Sequence, residues 1–211
     1  MTTRIVVVDS GVDAGHPALR GVTVHRGPAF DADGVAQPPA GEPDLLGHGT
    51  AVAATIARGA ADAVPFELHA LRVFERHPTC DFTAVLAALR HALTLRPALV
   101  NLSLGTTSLR HREALQRLVA DATAQGTRLV APASYGGLPC DPGNLRGVEA
   151  VVADPNVLPQ LPELRRHGER FIWFASPLPP PDADGIRRLV ARGDSLAVAA
   201  VTGVLLRSLP R

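Results

Sequence analysis

Lysine is missing from the 211-residue chain: its 21 basic side chains are all arginine, balanced by 20 acidic ones. A net charge of +1 leaves no electrostatic footprint for nucleic acid or an anionic membrane, and neither partner is expected. Cysteine is scarce as well. Cys80 and Cys140 cannot build a disulfide scaffold, and two thiols alone do not make a structural zinc site. One bond between them and two free thiols both stay open, with free thiols favoured. Long apolar runs are absent. Ile5–Val8 is too short for a secretory core, and Leu196–Leu206, interrupted by Thr202 and Gly203, reaches about half a bilayer span. The expectation is a soluble, cytoplasmic protein with neither a signal peptide nor an inhibitory prodomain before its first strand.

What is present suffices for a core. Apolar residues make up 46% of the chain and charged ones 19%, outside the range of disordered sequences. Strand-like and helix-like segments alternate. Ile5–Val8, Phe66–Phe74, Ala98–Leu102, Arg128–Ala131, Val148–Val152 and Phe171–Phe174 read as strands. Thr50–Arg58, Phe82–Leu95, Arg112–Ala124 and Ser195–Leu206 read as helices, the last weakened by Gly203. Gly27–Gly47 is a polar, Gly/Pro-rich stretch, and Pro177–Pro181 is a loop or polyproline segment. The alternation predicts an α/β fold: a single compact domain over 1–211 with a mostly parallel central sheet flanked by helices. Sites in such sheets form at the carboxyl ends of strands.

Three stretches fall at such places: Asp9-Ser10-Gly11-Val12-Asp13, Asp44-Leu45-Leu46-Gly47-His48-Gly49-Thr50, and Gly193-Asp194-Ser195-Leu196-Ala197. They offer a carboxylate, an imidazole and a hydroxyl. A serine hydroxyl is a poor nucleophile until a base takes its proton, and the base needs a carboxylate to fix its tautomer. Taken singly, each has a structural role open to it: a turn at Asp9, a loop at His48, a helix cap at Ser195. Taken together, in the order Asp, His, Ser, they point to catalysis.

The chain resembles the subtilisin-like serine peptidases, or subtilases. Ile5 to Asp13 with His16-Pro17-Ala18-Leu19 is similar to the family's aspartate motif, Gly47 to Ala53 to its histidine motif, and Gly193 to Gly203 to its serine motif. Leu71-Arg72-Val73 and Val100 to Gly105 resemble the strands between them. The resemblance runs from Ile5 to Leu206 and follows the subtilisin order of the triad. It implies Ser195 as nucleophile, His48 as general base and acid, and Asp9 as the group orienting His48. The Ser195 backbone N–H would hold part of the oxyanion, and Ser103-Leu104-Gly105 would offer backbone to an extended peptide. Without the family, Ser103–Gly105 reads equally well as an ordinary strand end.

Departures from the family pattern are specific. The family's oxyanion-hole asparagine has no counterpart: Tyr135 falls on its position without a gap, Ser134 with a shift of one, and Asn144 lies well past the motif. In subtilisin, loss of that donor costs roughly 100- to 1000-fold in turnover. Asp194 replaces a usual threonine, either adding a negative charge beside the nucleophile or capping the helix, and Ala199 stands where proline is common. Asp31-Ala32-Asp33-Gly34 and Asp182-Ala183-Asp184-Gly185 read as turns, so neither a metal nor a cofactor is assigned. The expectation is a slow or narrowly specific endopeptidase acting on a peptide or protein substrate, for instance a precursor made beside it, with an activating partner protein open. The alternative is a pseudo-enzyme that binds a peptide or partner without cutting it.

Overall fold

The computed structural model describes residues 2–60, 65–179 and 193–209. In chain order its strands are β1 (Thr3–Asp9), β2 (Thr23–Phe30), β3 (Ala36–Gln37), β4 (Phe66–Arg72), β5 (Leu99–Leu102), β6 (Arg128–Pro132), β7 (Ser134–Tyr135), β8 (Leu138–Pro139), β9 (Val148–Ala153), β10 (Glu163–His167) and β11 (Arg170–Ala175). The helices are α1 (His48–Gly59), α2 (Phe82–Thr94), α3 (Arg112–Ala124) and α4 (Asp194–Arg207). Nine strands form one sheet in the order β10-β11-β9-β6-β5-β1-β4-β2-β3. From β11 through to β2 every neighbouring pair is parallel, and only the edge strands β10 and β3 run antiparallel.

β1 lies near the middle because Ile5–Val8 is apolar on both faces and fully buried. Val6 and Val8 pack with α2 and α3 on one side, Ile5 and Val7 with α1 and α4 on the other. The result is the expected helix–sheet–helix sandwich. Gly203, read as a weak point of the last helix, has a packing role: a Cβ there would lie 2.7 Å from the Ile56 carbonyl and 2.8 Å from the Gly59 Cα. Its bare backbone lets α4 cross α1 closely.

β2 runs into the polar stretch from Gly27 through an irregularity in its pairing with β4 between Arg26 and Ala29. Gly27 sits there because a Cβ would meet Leu71 at 2.6 Å and the Ala70 carbonyl at 2.9 Å. The short β7–β8 hairpin and β10 add to the elements predicted by sequence pattern; β10 is a charged edge strand (ELRRH) without apolar alternation. Asp31–Gly34 is a turn, with the Asp31 carboxylate accepting from the Asp33 and Val35 N–H groups. Asp182–Gly185 lies outside the described residues, as does the end of the Pro177–Pro181 run. No described helix is long and apolar enough to cross a membrane.

Candidate active site

The parallel sheet brings its carboxyl ends together at one edge, and the three stretches meet there. Asp9 is the last residue of β1, His48 opens α1, and Ser195 lies in the first turn of α4. His48 and Ser195 line a cleft of about 710 Å³, whose walls include Ser103, Leu104, Gly105, Pro132, Tyr135 and Asp194. Asp9 is buried behind His48.

The imidazole is held from behind. His48 Nδ1 lies 2.7 Å from Asp9 Oδ1, which also accepts from the Ser10 N–H at 2.7 Å. Asp9 Oδ2 is buried and accepts no hydrogen bond among the described residues, so Oδ1 carries the contact. With the Asp9 carboxylate as acceptor, Nδ1 bears the proton and Nε2 is left without one. The hydrogen bond to Asp9 raises the His48 pKa above its ordinary value, burial opposes this, and the charges of Asp9 and Asp44 add to the rise.

Asp44 organises the loop before α1, a role that sequence reasoning missed. Its Oδ1 accepts from Ser10 Oγ (2.8 Å) and Gly47 N–H (2.9 Å), and its Oδ2 from Thr50 N–H (2.8 Å) and Thr50 Oγ (2.6 Å). Ser10 Oγ accepts in turn from the Gly49 N–H at 2.9 Å. Gly49 leaves no room for a side chain, because a Cβ would lie 2.1 Å from the Gly11 carbonyl. Asp44 thus satisfies donors at the start of α1 from four residues upstream of His48. The signal in the sequence was the carboxylate-to-threonine spacing around Gly-His-Gly.

The Ser195 side is tied to β5. Asn101 Nδ2 donates to Thr202 Oγ1 (2.9 Å), and Ser103 Oγ donates its one proton to Asn101 Oδ1 (2.8 Å), with the Ser195 carbonyl as the alternative acceptor at 3.2 Å. This buried chain fixes the start of α4 against the strand end. Ser195 Oγ donates to the Ser103 carbonyl at 3.1 Å, and among the described residues no hydrogen bond joins it to His48. The Ser195 N–H lies in the first helical turn, where backbone donors lack an intrahelical acceptor.

At the expected oxyanion position, Tyr135 faces the cleft and is 68% exposed, while Ser134 does not line it. Tyr135 pairs with Leu138 in the β7–β8 hairpin. Asn144 folds back beneath this segment, but its amide donates to the Ala133 and Cys140 carbonyls, the latter at 2.8 Å. Both N–H groups are thereby spent on the hairpin's base. Burial raises the pKa of Asp194. Both cysteines are unpaired. The Cys140 thiol is pushed up to about 12 by burial, then by Asp194 and Asp141, and donates to the Pro132 carbonyl at 3.1 Å. Cys80, at the cleft wall, is pushed up to about 11 by burial first and Asp81 second. Neither is a thiolate near neutral pH.

Fold and cleft together define an α/β protein with a carboxylate-backed histidine and a serine hydroxyl at the carboxyl edge of a parallel sheet. The chain belongs to the subtilase family, whose model matches residues 2–139. That span holds Asp9, His48, Ser103–Gly105 and Tyr135 and ends before Ser195. Among solved structures, a lanthipeptide protease superposes with a TM-score of 0.70 at 20% identity, over 97% of this chain and 72% of the other. A cold-adapted subtilisin-like serine proteinase gives 0.69 at 21%, over 97% and 74%. The S218A mutant of the PatA protease domain gives 0.65 at 22%, over 97% and 78%. At these identities the likeness shows a shared fold. No curated protein matches the sequence.

Proposed function

We propose that the protein is a serine endopeptidase using Asp9, His48 and Ser195. One observation carries this: the imidazole, oriented by a 2.7 Å contact to buried Asp9, lines the same cleft as the Ser195 hydroxyl. An extended peptide would lie along Ser103–Gly105 as an added strand. Ser195 Oγ leaves the Ser103 carbonyl and passes its proton to His48 Nε2 as the Oγ–carbon bond forms. The oxyanion takes the Ser195 N–H at the positive end of α4. His48 then protonates the leaving amine, the C–N bond breaks, and water, deprotonated by His48, releases the acyl group. With Asn144 committed elsewhere and the Tyr135 hydroxyl too far from its own Cα to stand in for an asparagine amide, the second oxyanion donor is weak, which suits a slow, narrowly specific processing enzyme. Substrate, or an activating partner protein, would meet the exposed Tyr135 hairpin at the cleft wall. Unpaired thiols fit work in the reducing cytoplasm.

The test is incubation with a diverse peptide pool and detection of new termini by mass spectrometry. New termini should appear with wild type and vanish with Ser195→Ala. The missing oxyanion asparagine and the resting contact of Ser195 to Ser103 favour one other role, a peptide-binding pseudo-enzyme. Peptides retained by wild type without any new termini would establish it.

A further inference from the structure

Away from the cleft, the amino-terminal halves of β2 and β4 gather a second set of reactive side chains. The parallel register sets His25 opposite His69 and Thr23 opposite Glu67, and Glu67 and His69, two apart on β4, share one face. The two imidazoles stack with centroids 4.4 Å apart and planes 19° from parallel. Both Nε2 atoms turn to one carboxylate: His25 Nε2 lies 3.3 Å from Glu67 Oε2, and His69 Nε2 lies 3.2 Å from Oε1. One donor atom from each of the three residues lies within 4.8 Å of the other two.

These spacings have a chemical meaning. Two ligands on a tetrahedral ion, each bonded at about 2.0–2.1 Å, stand about 3.3 Å apart. Each Nε2 already stands at that distance from an oxygen of the same carboxylate, and the stacked rings need to turn about their side-chain torsions for both lone pairs to meet one ion. Arg4 Nε donates to Glu67 Oε1 at 2.9 Å, and another Arg4 nitrogen donates to the Leu95 carbonyl. Arg4 is therefore an outer support that orients the carboxylate and leaves Oε2 for the ion. Two imidazoles and one carboxylate suit a borderline ion such as zinc, whereas calcium and magnesium call for six or more oxygens. The His25 side chain is 46% exposed, which gives the ion a way in and water the fourth position.

We propose that His25, Glu67 and His69 form a binding site for one Zn²⁺-type ion, held by two imidazole Nε2 atoms and a carboxylate oxygen. The ion bridges β2 to β4, a cross-link between strands far apart in sequence. The site does not depend on the activity of the cleft.

Calorimetric titration of the metal-free protein with Zn²⁺ tests this, using wild type, His25→Ala, His69→Ala and, as a control on an exposed histidine, His167→Ala. One ion per chain should bind to wild type and His167→Ala, with affinity roughly tenfold or more weaker in His25→Ala and His69→Ala. Co²⁺ added to wild type should also show the visible absorption of an imidazole-ligated ion, a readout that requires no variant to fold. Zn²⁺ binding unchanged in both alanine variants, or Co²⁺ that keeps its aqueous spectrum, would overturn the proposal.

Discussion

On the His48 side of the cleft, side-chain oxygens answer the loop backbone: Asp44 gathers Ser10, Gly47 and Thr50, Ser10 receives Gly49, and Asp9 holds the imidazole. On the Tyr135 side, a two-residue strand pairs with another, and Tyr135 and Leu138 stand exposed. The difference follows from what each wall must do. A general base needs one tautomer and one direction before any substrate arrives, so its supports are built in. The oxyanion wall meets charge that exists only once substrate is bound, and it can be completed late. On the proposed mechanism, the first wall is complete before substrate binds and the second is not.

Removing the base itself should have the largest effect. His48→Ala should slow reaction of Ser195 with a fluorophosphonate by about 10⁴-fold or more, roughly 5 kcal/mol of barrier. A slight loss would show that the well-built wall serves folding alone.

The pH dependence comes next. His48 must be neutral to accept a proton, so the rate should fall about tenfold for each pH unit below its pKa, which Asp9 holds above the ordinary value of about 6.5. Stability moves the other way. A folded-state pKa raised above the unfolded one contributes stability that is full below about 6.5 and lost as pH rises through the folded value. Rate–pH and unfolding–pH curves should therefore run in opposite directions, and Asp9→Asn should move the rate curve to lower pH and abolish the stability gain at low pH.

Asp44→Ala sharpens the comparison by loosening the strong wall without touching the triad. It strands the Thr50 and Gly47 N–H groups and should cost about 2 kcal/mol in denaturant unfolding, with a parallel drop in probe reactivity. A fall in stability with reactivity intact would mean that the loop does not position His48.

The smallest effect is expected on the relaxed wall. A tyrosine hydroxyl lies roughly 6–7 Å from its own Cα, whereas an asparagine amide nitrogen reaches about 3–4 Å, so Tyr135 cannot put a donor where asparagine would. Tyr135→Asn should speed the reaction about tenfold, ~1.4 kcal/mol. A large loss in Tyr135→Phe would instead identify the phenol as a donor.

Much of this was legible from local pattern. The apolar tetrad ending in Asp9, the Ala-rich helix after His48 and the helix at Ser195 each declare themselves within a few residues, and the parallel sheet follows from their alternation. What escaped depends on distance in sequence. Asn144 reaches Ala133 only through the return of the chain after β8, and Asn101 meets Thr202 across 101 positions. His25 and His69 become neighbours through the β2–β4 register, which no periodicity within either strand encodes. β10 was hidden because an edge strand with solvent on its free side carries no apolar rhythm.

The most direct measurement of the central claim is mapping of a fluorophosphonate adduct on the wild-type protein by mass spectrometry. The account predicts a single adduct on Ser195 that forms faster as pH rises through the His48 pKa and is absent from Ser195→Ala. Wild type left unlabelled after prolonged exposure, or an adduct on any other residue, would contradict it.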